Sequence, residues 1–149
     1  NVTSAAKIAE VVKSKGAEQD IIIMTAAVAD FCPSHPADEK IKKNDSSYES
    51  VIELERTEDI LSYLGAHKAK GQLICGFSME TQNMLENSKA KLAKKNADMI
   101  VANNLKVAGA GFGTDTNVVT LITADDCTEL EIMDKSCVAA RIMDRLLQM

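Results

Sequence analysis

The stretch "IIIMTAAVAD", residues 21–30, decides the fold of this chain. It carries no charge from Ile21 to Ala29 and then ends in Asp30. A strand that is apolar on both faces is typical of a parallel sheet covered by helices on both sides. We therefore predict a buried strand over residues 20–29, with Asp30 at its carboxyl end, where open sheets of this kind bind their ligands.

Outward from this strand, helical and extended segments alternate along the 149 residues. In chain order we predict a helix capped by Thr3 or Ser4 and ended by Gly16, the strand 20–29, a loop over 31–39, a half-exposed antiparallel strand 48–56, a helix capped by Thr57 and ended by Gly65 or Gly71, a strand 72–80, a helix 81–96 with Met84, Leu85, Ser88 and Leu92 inward, a strand 97–104, a hairpin of 117–123 with 129–133, and a last helix from Asp134. This order predicts a single α/β domain over residues 1–149. Its three-layer, Rossmann-like sheet is mostly parallel, with an antiparallel hairpin and a strand extension.

Composition excludes several classes of protein. With a net charge of −5, no Trp and 3% aromatic residues, the chain lacks the features of a nucleic-acid-binding protein. Its longest apolar run, Ile21–Ala29, is about half of what a membrane span needs. The four cysteines show no C-x-x-C spacing, which indicates free thiols in a reducing compartment. His35 and His67 lack ligand-spaced partners, so we predict no protein-held metal site.

Two groups of lysines are candidate phosphate contacts. Lys40, Lys42 and Lys43 follow the predicted loop, whereas Lys91 and Lys95 lie four apart on one face of a predicted helix. Like charges at that spacing repel unless an anion joins them, and a polyphosphate is such an anion. From the pattern alone, a solvated surface face is the simpler explanation of both groups.

Two further patterns have more than one interpretation. Glu58 and Asp59 suit the first turn of a helix, where acids favour the dipole, although a carboxylate pair also suits proton transfer. The free N–H groups of that helix start can hold acceptors of a ligand. The segment "GAGFGT", 109–114, resembles a dinucleotide-binding G-x-G-x-x-G loop, but a strand follows it where a helix should. It is either a Gly-rich loop that approaches a ligand closely or a plain connector.

Several linked motifs resemble one known family. They are "TAAVADF", "EKIKK", "TEDIL", "GFSMET", "KLAKKNADMIVANN" and "GFGTDTNVVTLI". In this order and spacing they are similar to the synthetase domain of bacterial phosphopantothenoylcysteine synthetase/decarboxylase, and the resemblance covers essentially the whole chain.

The resemblance implies a ligase that joins cysteine to 4′-phosphopantothenate in coenzyme A synthesis. In bacterial members the substrate carboxylate attacks the α-phosphate of CTP, giving an acyl-cytidylate and pyrophosphate, and cysteine then displaces CMP. Lysines, and a Mg²⁺ ion carried by the nucleotide, would offset the repulsion between the anionic nucleophile and the triphosphate. FMN is expected only in a fused decarboxylase domain, which these residues do not contain.

The resemblance also implies the residues of the site. The nucleotide-binding set is Met24, Thr25, Ala26, Asp30, Lys40, Glu58, Asp59, Ile60, Leu61, Phe77, Lys91 and Lys95. Lys40 matches the catalytic lysine needed to form the acyl-cytidylate, and Lys91 and Lys95 match lysines that hold phosphates. Asp30 contacts the nucleotide through the ribose or a polar bridge. Glu58 stands where the family often has proline, so we expect a main-chain contact there.

Part of the family's domain has no counterpart here, namely a Gly-rich strand–turn–helix and an arginine/asparagine segment on the phosphopantothenate side. We therefore expect a fragment that holds mainly the CTP half of the site. The family also implies a cytoplasmic homodimer, with pairing edges offered by 48–56 and 117–133. Two alternatives stay open: a non-catalytic nucleotide-binding or dimerisation module of the same fold, and a dinucleotide oxidoreductase domain, which the missing G-x-G-x-x-G disfavours.

Overall fold

The computed structural model describes residues 1–40, 51–79, 83–104, 107, 111 and 113–149. Some of the sequence predictions therefore lie outside the described residues. They concern Lys42 and Lys43, the start of the predicted strand 48–56, the end of the predicted strand 72–80, the start of the predicted helix 81–96, and half of the Gly-rich segment 109–114.

The described residues form helices and strands in alternation. The helices are α1 (Ala5–Gly16), α2 (Ile60–Ala66), α3 (Met84–Lys95) and α4 (Lys135–Leu146). The strands are β1 (Ile21–Met24), β2 (Phe31–Pro33), β3 (Leu54–Arg56), β4 (Leu73–Met79), β5 (Met99–Asn103), β6 (Thr116–Asn117), β7 (Val119–Ile122), β8 (Cys127–Glu129) and β9 (Met133–Asp134).

The central sheet has the strand order β1-β4-β5-β7-β8. The pairs β1–β4 and β4–β5 are parallel, whereas β7 and β8 extend the sheet in antiparallel pairing. The fold class predicted from the sequence is therefore confirmed. Two smaller antiparallel pairs, β2–β3 and β6–β9, lie outside this sheet.

Helices cover both faces of the sheet, which gives the three predicted layers. On one face Ile74 packs with residues of α1 and α2, and Ile100 and Ile122 pack with Leu92 of α3. The opposite face of the sheet packs against α4, whose inward residues Val138, Ile142 and Leu146 are buried as predicted. The alternation of faces along each strand follows from the two-residue period of extended chain.

Local signals account for the ends of the first and last helices. The Ser4 side chain accepts a hydrogen bond from the Lys7 N–H at 3.3 Å, and α1 ends at Gly16. Asp134 is the residue before α4, as predicted. A hairpin is present as β7–β8, but its second strand is Cys127–Glu129, which shares only Glu129 with the predicted 129–133. Met133 belongs to a separate strand that pairs with β6.

The predicted strand 20–29 is longer than the observed one. β1 ends at Met24, which pairs with Gly76 of β4. Beyond it, the main-chain oxygens of Ala29 and Asp30 accept hydrogen bonds from Thr57 and not from a sheet neighbour. Apolar composition predicted the strand correctly, but it could not show where the chain leaves the sheet.

The loop predicted over 31–39 is wrong at its beginning. Phe31–Pro33 forms β2, which pairs with β3 in an antiparallel ribbon (hereafter the β2–β3 ribbon). Of the predicted strand 48–56, the described part is extended only over Leu54–Arg56. Pro33 lacks an N–H, so the sequence indicated a loop, yet the last residue of a short edge strand tolerates proline.

The start of α2 also differs from the prediction. Its N-cap is Asp59, whose side chain accepts from the Ser62 N–H at 3.0 Å, and not Thr57. Gly65 lies inside the helix and does not end it. In α3, Ser88 and Leu92 are buried as predicted, but Leu85 is 45% exposed, so its inward assignment was wrong.

Candidate active site

A cavity of about 180 Å³ lies at the carboxyl ends of β1 and β4, against the start of α2 and one side of α3. Its lining residues are Met24, Ala26, Val28, Ala29, Asp30, Thr57, Glu58, Asp59, Ile60, Leu61, Phe77, Lys91 and Lys95. This is the edge of the sheet at which ligands bind in open α/β folds. The cavity combines apolar walls with charged groups of both signs.

The start of α2 forms one wall of the cavity. Thr57 joins it to the chain between β1 and β2, since its hydroxyl donates to the Ala29 oxygen and its N–H donates to the Asp30 oxygen at 3.0 Å. Glu58 forms an ion pair with Lys13 of α1. The order Thr57, Glu58, Asp59 thus ties α2 to two other elements before the helix begins.

The lysines of α3 form the opposite wall. Lys91 donates through Nζ to the main-chain oxygen of Phe77 at 3.2 Å. Lys95 forms an ion pair with Asp59 across the cavity, and its side chain is only 13% exposed. Both ammonium groups therefore face the cavity from helical positions four apart, which lie on the same side of a helix.

The carboxyl group of Asp59 is held in its ionised form. Its burial opposes ionisation, but hydrogen bonds from Lys95 and from the Ser62 N–H outweigh that effect and lower the pKa of Asp59. A fixed negative charge therefore lies beside Lys95 at neutral pH.

Close packing fixes α2 and α3 relative to the sheet. A Cβ at Gly76 in β4 would lie 2.6 Å from Leu61 Cδ2, and one at Gly65 would collide with the main-chain oxygen of Lys95. Asn96 donates from its side chain to the Gly65 oxygen at 2.8 Å. The absence of side chains at these glycines lets both helices approach closely enough for the Asp59–Lys95 pair to form.

A buried pair of hydroxyls joins α3 to β4. The Oγ atoms of Ser78 and Ser88 lie 2.8 Å apart, and both residues are buried. Ser78 follows Phe77 in β4, and Ser88 lies one turn before Lys91. This contact therefore helps to fix the position of α3 along β4, where Lys91 donates to the Phe77 oxygen.

The structure places most of the predicted site residues in this one cavity. Those that line it are Met24, Ala26, Asp30, Glu58, Asp59, Ile60, Leu61, Phe77, Lys91 and Lys95. Thr25 and Lys40 are not among the lining residues. Proximity does not test the nucleotide-binding roles, which stay predictions.

Sequence reasoning missed Val28, Ala29 and Thr57 as lining residues. Val28 and Ala29 had been assigned to a strand, and Thr57 to a helix cap. The usable signal was the short antiparallel ribbon that brings Thr57 back beside Asp30, but a three-residue strand containing proline gives too little pattern to find.

Two absences concern the described residues. Over 1–40, 51–79, 83–104, 107, 111 and 113–149, no group of three His, Cys, Asp or Glu side chains could hold a metal ion. In the same part of the chain, no helix is both long enough and apolar enough to cross a bilayer.

Curated relatives share most of this chain. It is 47% identical over 146 residues to the coenzyme A biosynthesis bifunctional protein CoaBC of Bacillus subtilis (strain 168), an alignment that covers 97% of this chain and 35% of that protein. It is 45% identical over 148 residues to a cysteine/cysteine sulfinic acid decarboxylase of an unknown prokaryotic organism, covering 99% of this chain and 41% of that protein. The chain thus spans less than half the length of these relatives.

Solved structures show the same fold. The crystal structure of the C-terminal domain of CoaBC is 40% identical in sequence and has a TM-score of 0.77. The superposition covers 99% of this chain and 65% of that one. A Cab2 mutant in complex with phosphopantothenate-cysteine has a TM-score of 0.69 over 99% of this chain and 52% of that one, but it is only 17% identical and shows the fold alone. The family model of the DNA/pantothenate metabolism flavoprotein C-terminal domain matches residues 1–149, and the chain belongs to that family.

Proposed function

We propose that this chain is the nucleotide-binding part of a CTP-dependent ligase that joins cysteine to 4′-phosphopantothenate in coenzyme A synthesis. One observation carries the proposal. Lys91 and Lys95 face the start of α2 across a single cavity at the carboxyl ends of parallel strands, so basic groups for phosphates and main-chain groups for a base line the same space. The similarity to CoaBC of Bacillus subtilis supports the same pathway.

The proposed reaction has two steps. A carboxylate oxygen of phosphopantothenate attacks the α-phosphorus of CTP, and the bond to pyrophosphate breaks. The cysteine amine then attacks the acyl carbon, loses a proton, and CMP leaves with the electrons of the acyl–phosphate bond. An anion attacking a polyphosphate needs positive charge at the phosphates, and lysines supply it without covalent chemistry.

Recognition of the base falls to main-chain groups near Asp59 and Ile60. The Asp59 carboxylate is already engaged by Lys95 and by the Ser62 N–H. Glu58 is paired with Lys13, so its side chain is also occupied. Main-chain donors and acceptors at 58–61 are therefore the groups best placed to distinguish cytosine.

Lys40 and Mg²⁺ complete the proposal. Lys40 lies outside the cavity lining, so its proposed role requires it to reach the phosphates from the segment that follows β2. Three carboxylates line the cavity, but Glu58 and Asp59 already pair with lysines, which fits an ion held by the phosphates of the nucleotide better than one held by the protein. Bound there, the ion would neutralise phosphate charge.

The whole protein is proposed to be a cytoplasmic homodimer. Val51, Ile52 and Leu54 are exposed at the β2–β3 ribbon and its approach. An exposed apolar edge of this kind favours pairing with a second copy. A fused FMN-dependent decarboxylase domain belongs to the same proposal and not to the residues described.

The first experiment is equilibrium titration with CTP, ATP and NADH. We expect CTP to bind more tightly than ATP, and NADH to bind poorly. Equal dissociation constants for CTP and ATP would remove the assignment to the CTP-dependent class, and preferential binding of NADH would favour an oxidoreductase.

The second experiment tests the phosphate contact. Lys95→Ala should weaken CTP by about 1–3 kcal/mol and cytidine much less. Lys94→Ala is the matched control, because Lys94 is exposed on the same helix and does not line the cavity. If CTP and cytidine lose affinity alike in Lys95→Ala, the lysine is not a phosphate contact.

The third experiment separates binding from chemistry in the full-length protein. Lys40→Gln should keep the CTP dissociation constant within about tenfold. It should slow acyl-cytidylate formation by at least about 10²-fold, as loss of one transition-state charge contact does. Single-turnover release of pyrophosphate with phosphopantothenate and CTP, without cysteine, measures this. Release at the wild-type rate would show Lys40 to be only a surface lysine.

A further inference from the structure

The two lysines of α3 differ in the partners that they have. Lys91 donates to the neutral main-chain oxygen of Phe77, and among the described residues no carboxylate pairs with it. Lys95 instead pairs with the carboxylate of Asp59. The positive charge of Lys91 is therefore available to an anion, whereas that of Lys95 is already compensated from within the chain.

Asp59 is fixed by two different groups. One oxygen, Oδ1, accepts from the Ser62 N–H at 3.0 Å, and the other, Oδ2, accepts from Lys95. Its side chain is 51% exposed, whereas that of Lys95 is 13% exposed. The carboxylate of Asp59 is therefore the more exposed member of the pair, and the Lys95 side chain is the more buried one.

A ligand phosphate and the carboxylate of Asp59 are both negative, so placing both beside Lys95 costs free energy. A phosphate that approaches Lys95 is repelled by Asp59, and it must separate the pair to use the lysine fully. Separation leaves Oδ2 of Asp59 without a donor, which costs free energy unless the ligand supplies one. Inorganic polyphosphates ionised at neutral pH offer acceptors but few donors, whereas a nucleoside carries ribose hydroxyls that can donate.

We propose that Asp59 and Lys95 form an exchangeable ion pair that makes the cavity prefer a nucleoside phosphate to an inorganic one. The phosphate binds Lys95, and a ribose hydroxyl of the nucleoside donates to the freed carboxylate of Asp59. Asp59 is then a specificity-determining residue. The inference deepens the proposed function but requires only a nucleoside phosphate as ligand, not CTP in particular.

The test compares inorganic tripolyphosphate, CTP and ATP as ligands of the full chain and of Asp59→Asn. Asparagine caps helices as well as aspartate does, so this variant keeps the acceptor for the Ser62 N–H and removes only the charge. We expect tripolyphosphate to bind about tenfold more tightly to Asp59→Asn, and CTP to bind no more tightly, or less tightly, than to the wild type.

Two further variants show where the effect arises. In Asp59→Asn combined with Lys95→Met, the gain for tripolyphosphate should disappear, because the lysine that was released is gone. Asp126→Asn is the control, because it removes a carboxylate that pairs with Arg145 and does not line the cavity, and it should change the ratio of the two affinities by less than about threefold.

Each result has a definite meaning. If Asp59→Asn binds both ligands more tightly by the same factor, Asp59 is only a repulsive charge and the exchange is refuted. Unchanged tripolyphosphate affinity also overturns the inference, and with CTP still bound by the wild type the proposed function survives. If CTP does not bind but ATP shows the expected pattern, the proposed function falls and the exchange stands.

Discussion

The packing of α2 and α3 beside the cavity and the β2–β3 ribbon are built in opposite ways. In the helix packing, Gly65 has no room for a methyl group against Lys95, and Ser78 and Ser88 share a buried hydrogen bond. In the ribbon, Phe31 is 50% exposed and Leu54 is 60% exposed. Close packing therefore fixes the two lysines, whereas a few hydrogen bonds fix the chain beside Asp30. Mutations should be costly in the helix packing and have little effect in the ribbon.

The largest expected effect is that of Gly65→Ala. The new methyl would meet the main-chain oxygen of Lys95, which cannot move without shifting α3. We expect the free energy of unfolding to fall by about 3 kcal/mol, measured by urea denaturation. Gly16→Ala is the matched control, because its Cβ would lie 3.1 Å from the end of the Leu64 side chain, which can adjust. A cost below that of the control would mean that α2 and α3 are not closely fixed.

The next effect is that of Ser88→Ala, which leaves the buried Ser78 hydroxyl without its partner. An unsatisfied buried hydroxyl costs about 1–3 kcal/mol, and we expect a loss of about 2 kcal/mol in the free energy of unfolding. The double variant, with Ser78→Ala added, should lose less than the sum of the two single variants. Strictly additive losses would show that the two hydroxyls do not interact.

A smaller effect concerns Cys75, buried in the sheet. Burial, with the nearby charge of Asp98, raises the pKa of Cys75 from 9.0 to about 12. Between these values the unfolded chain loses the thiol proton and the folded chain keeps it, so the free energy of unfolding falls as pH rises, by at most about 1.4 kcal/mol per pH unit.

Cys75→Ala tests this slope by denaturation at a series of alkaline pH values. The stability advantage of the wild type over the variant should shrink as pH rises above 9.0. Cys32→Ala, in the ribbon, retains Cys75 and should keep the wild-type slope. Equal slopes in the wild type and Cys75→Ala would contradict the assignment to this thiol.

The smallest expected effect lies in the ribbon. Leu54→Ser should change the free energy of unfolding of the monomer by less than about 0.5 kcal/mol, because its side chain is already exposed. In sedimentation at high protein concentration, the same change should shift the proposed dimer toward the 16.1 kDa species. Glu55→Ser is the control, because Glu55 is the next residue of β3 and its side chain points to the opposite face of the ribbon. A wild type that sediments only as a monomer would count against the dimer.

The sequence predicted the sheet and its helices because each of them carries a strong repeating pattern. Val138, Ile142 and Leu146 repeat at helical spacing and are buried together, which the sequence alone showed. The start of α2 was misjudged because Thr57 and Asp59 are both good capping residues, and only the tertiary bond from Thr57 to the Ala29 oxygen decides between them.

The site was predicted in its outline and missed in its internal partners. Linked motifs identified most of the residues that line the cavity. No sequence pattern could reveal the pairing of Asp59 with Lys95, since Asp59 precedes α2, Lys95 ends α3, and the two meet only because Gly65 permits the approach. The charge pattern did not distinguish Lys91 from Lys95, but in the folded chain Lys91 donates to the Phe77 oxygen and Lys95 pairs with Asp59.

The pairing of the strands has a consequence for the order of folding. Cys75 of β4 pairs with Met99 of β5, across a single helix, whereas Ile21 of β1 pairs with Leu73 across more than twice that stretch of chain. Contacts that close shorter loops lose less chain entropy and form earlier. We therefore expect β4, α3 and β5 to assemble as a nucleus before β1 joins them. Ile100→Val should then slow refolding, and Ile22→Val should mainly speed unfolding, in stopped-flow measurements. Lys91 and Lys95 on α3 would thus be in place before the residues that follow β1 complete the cavity.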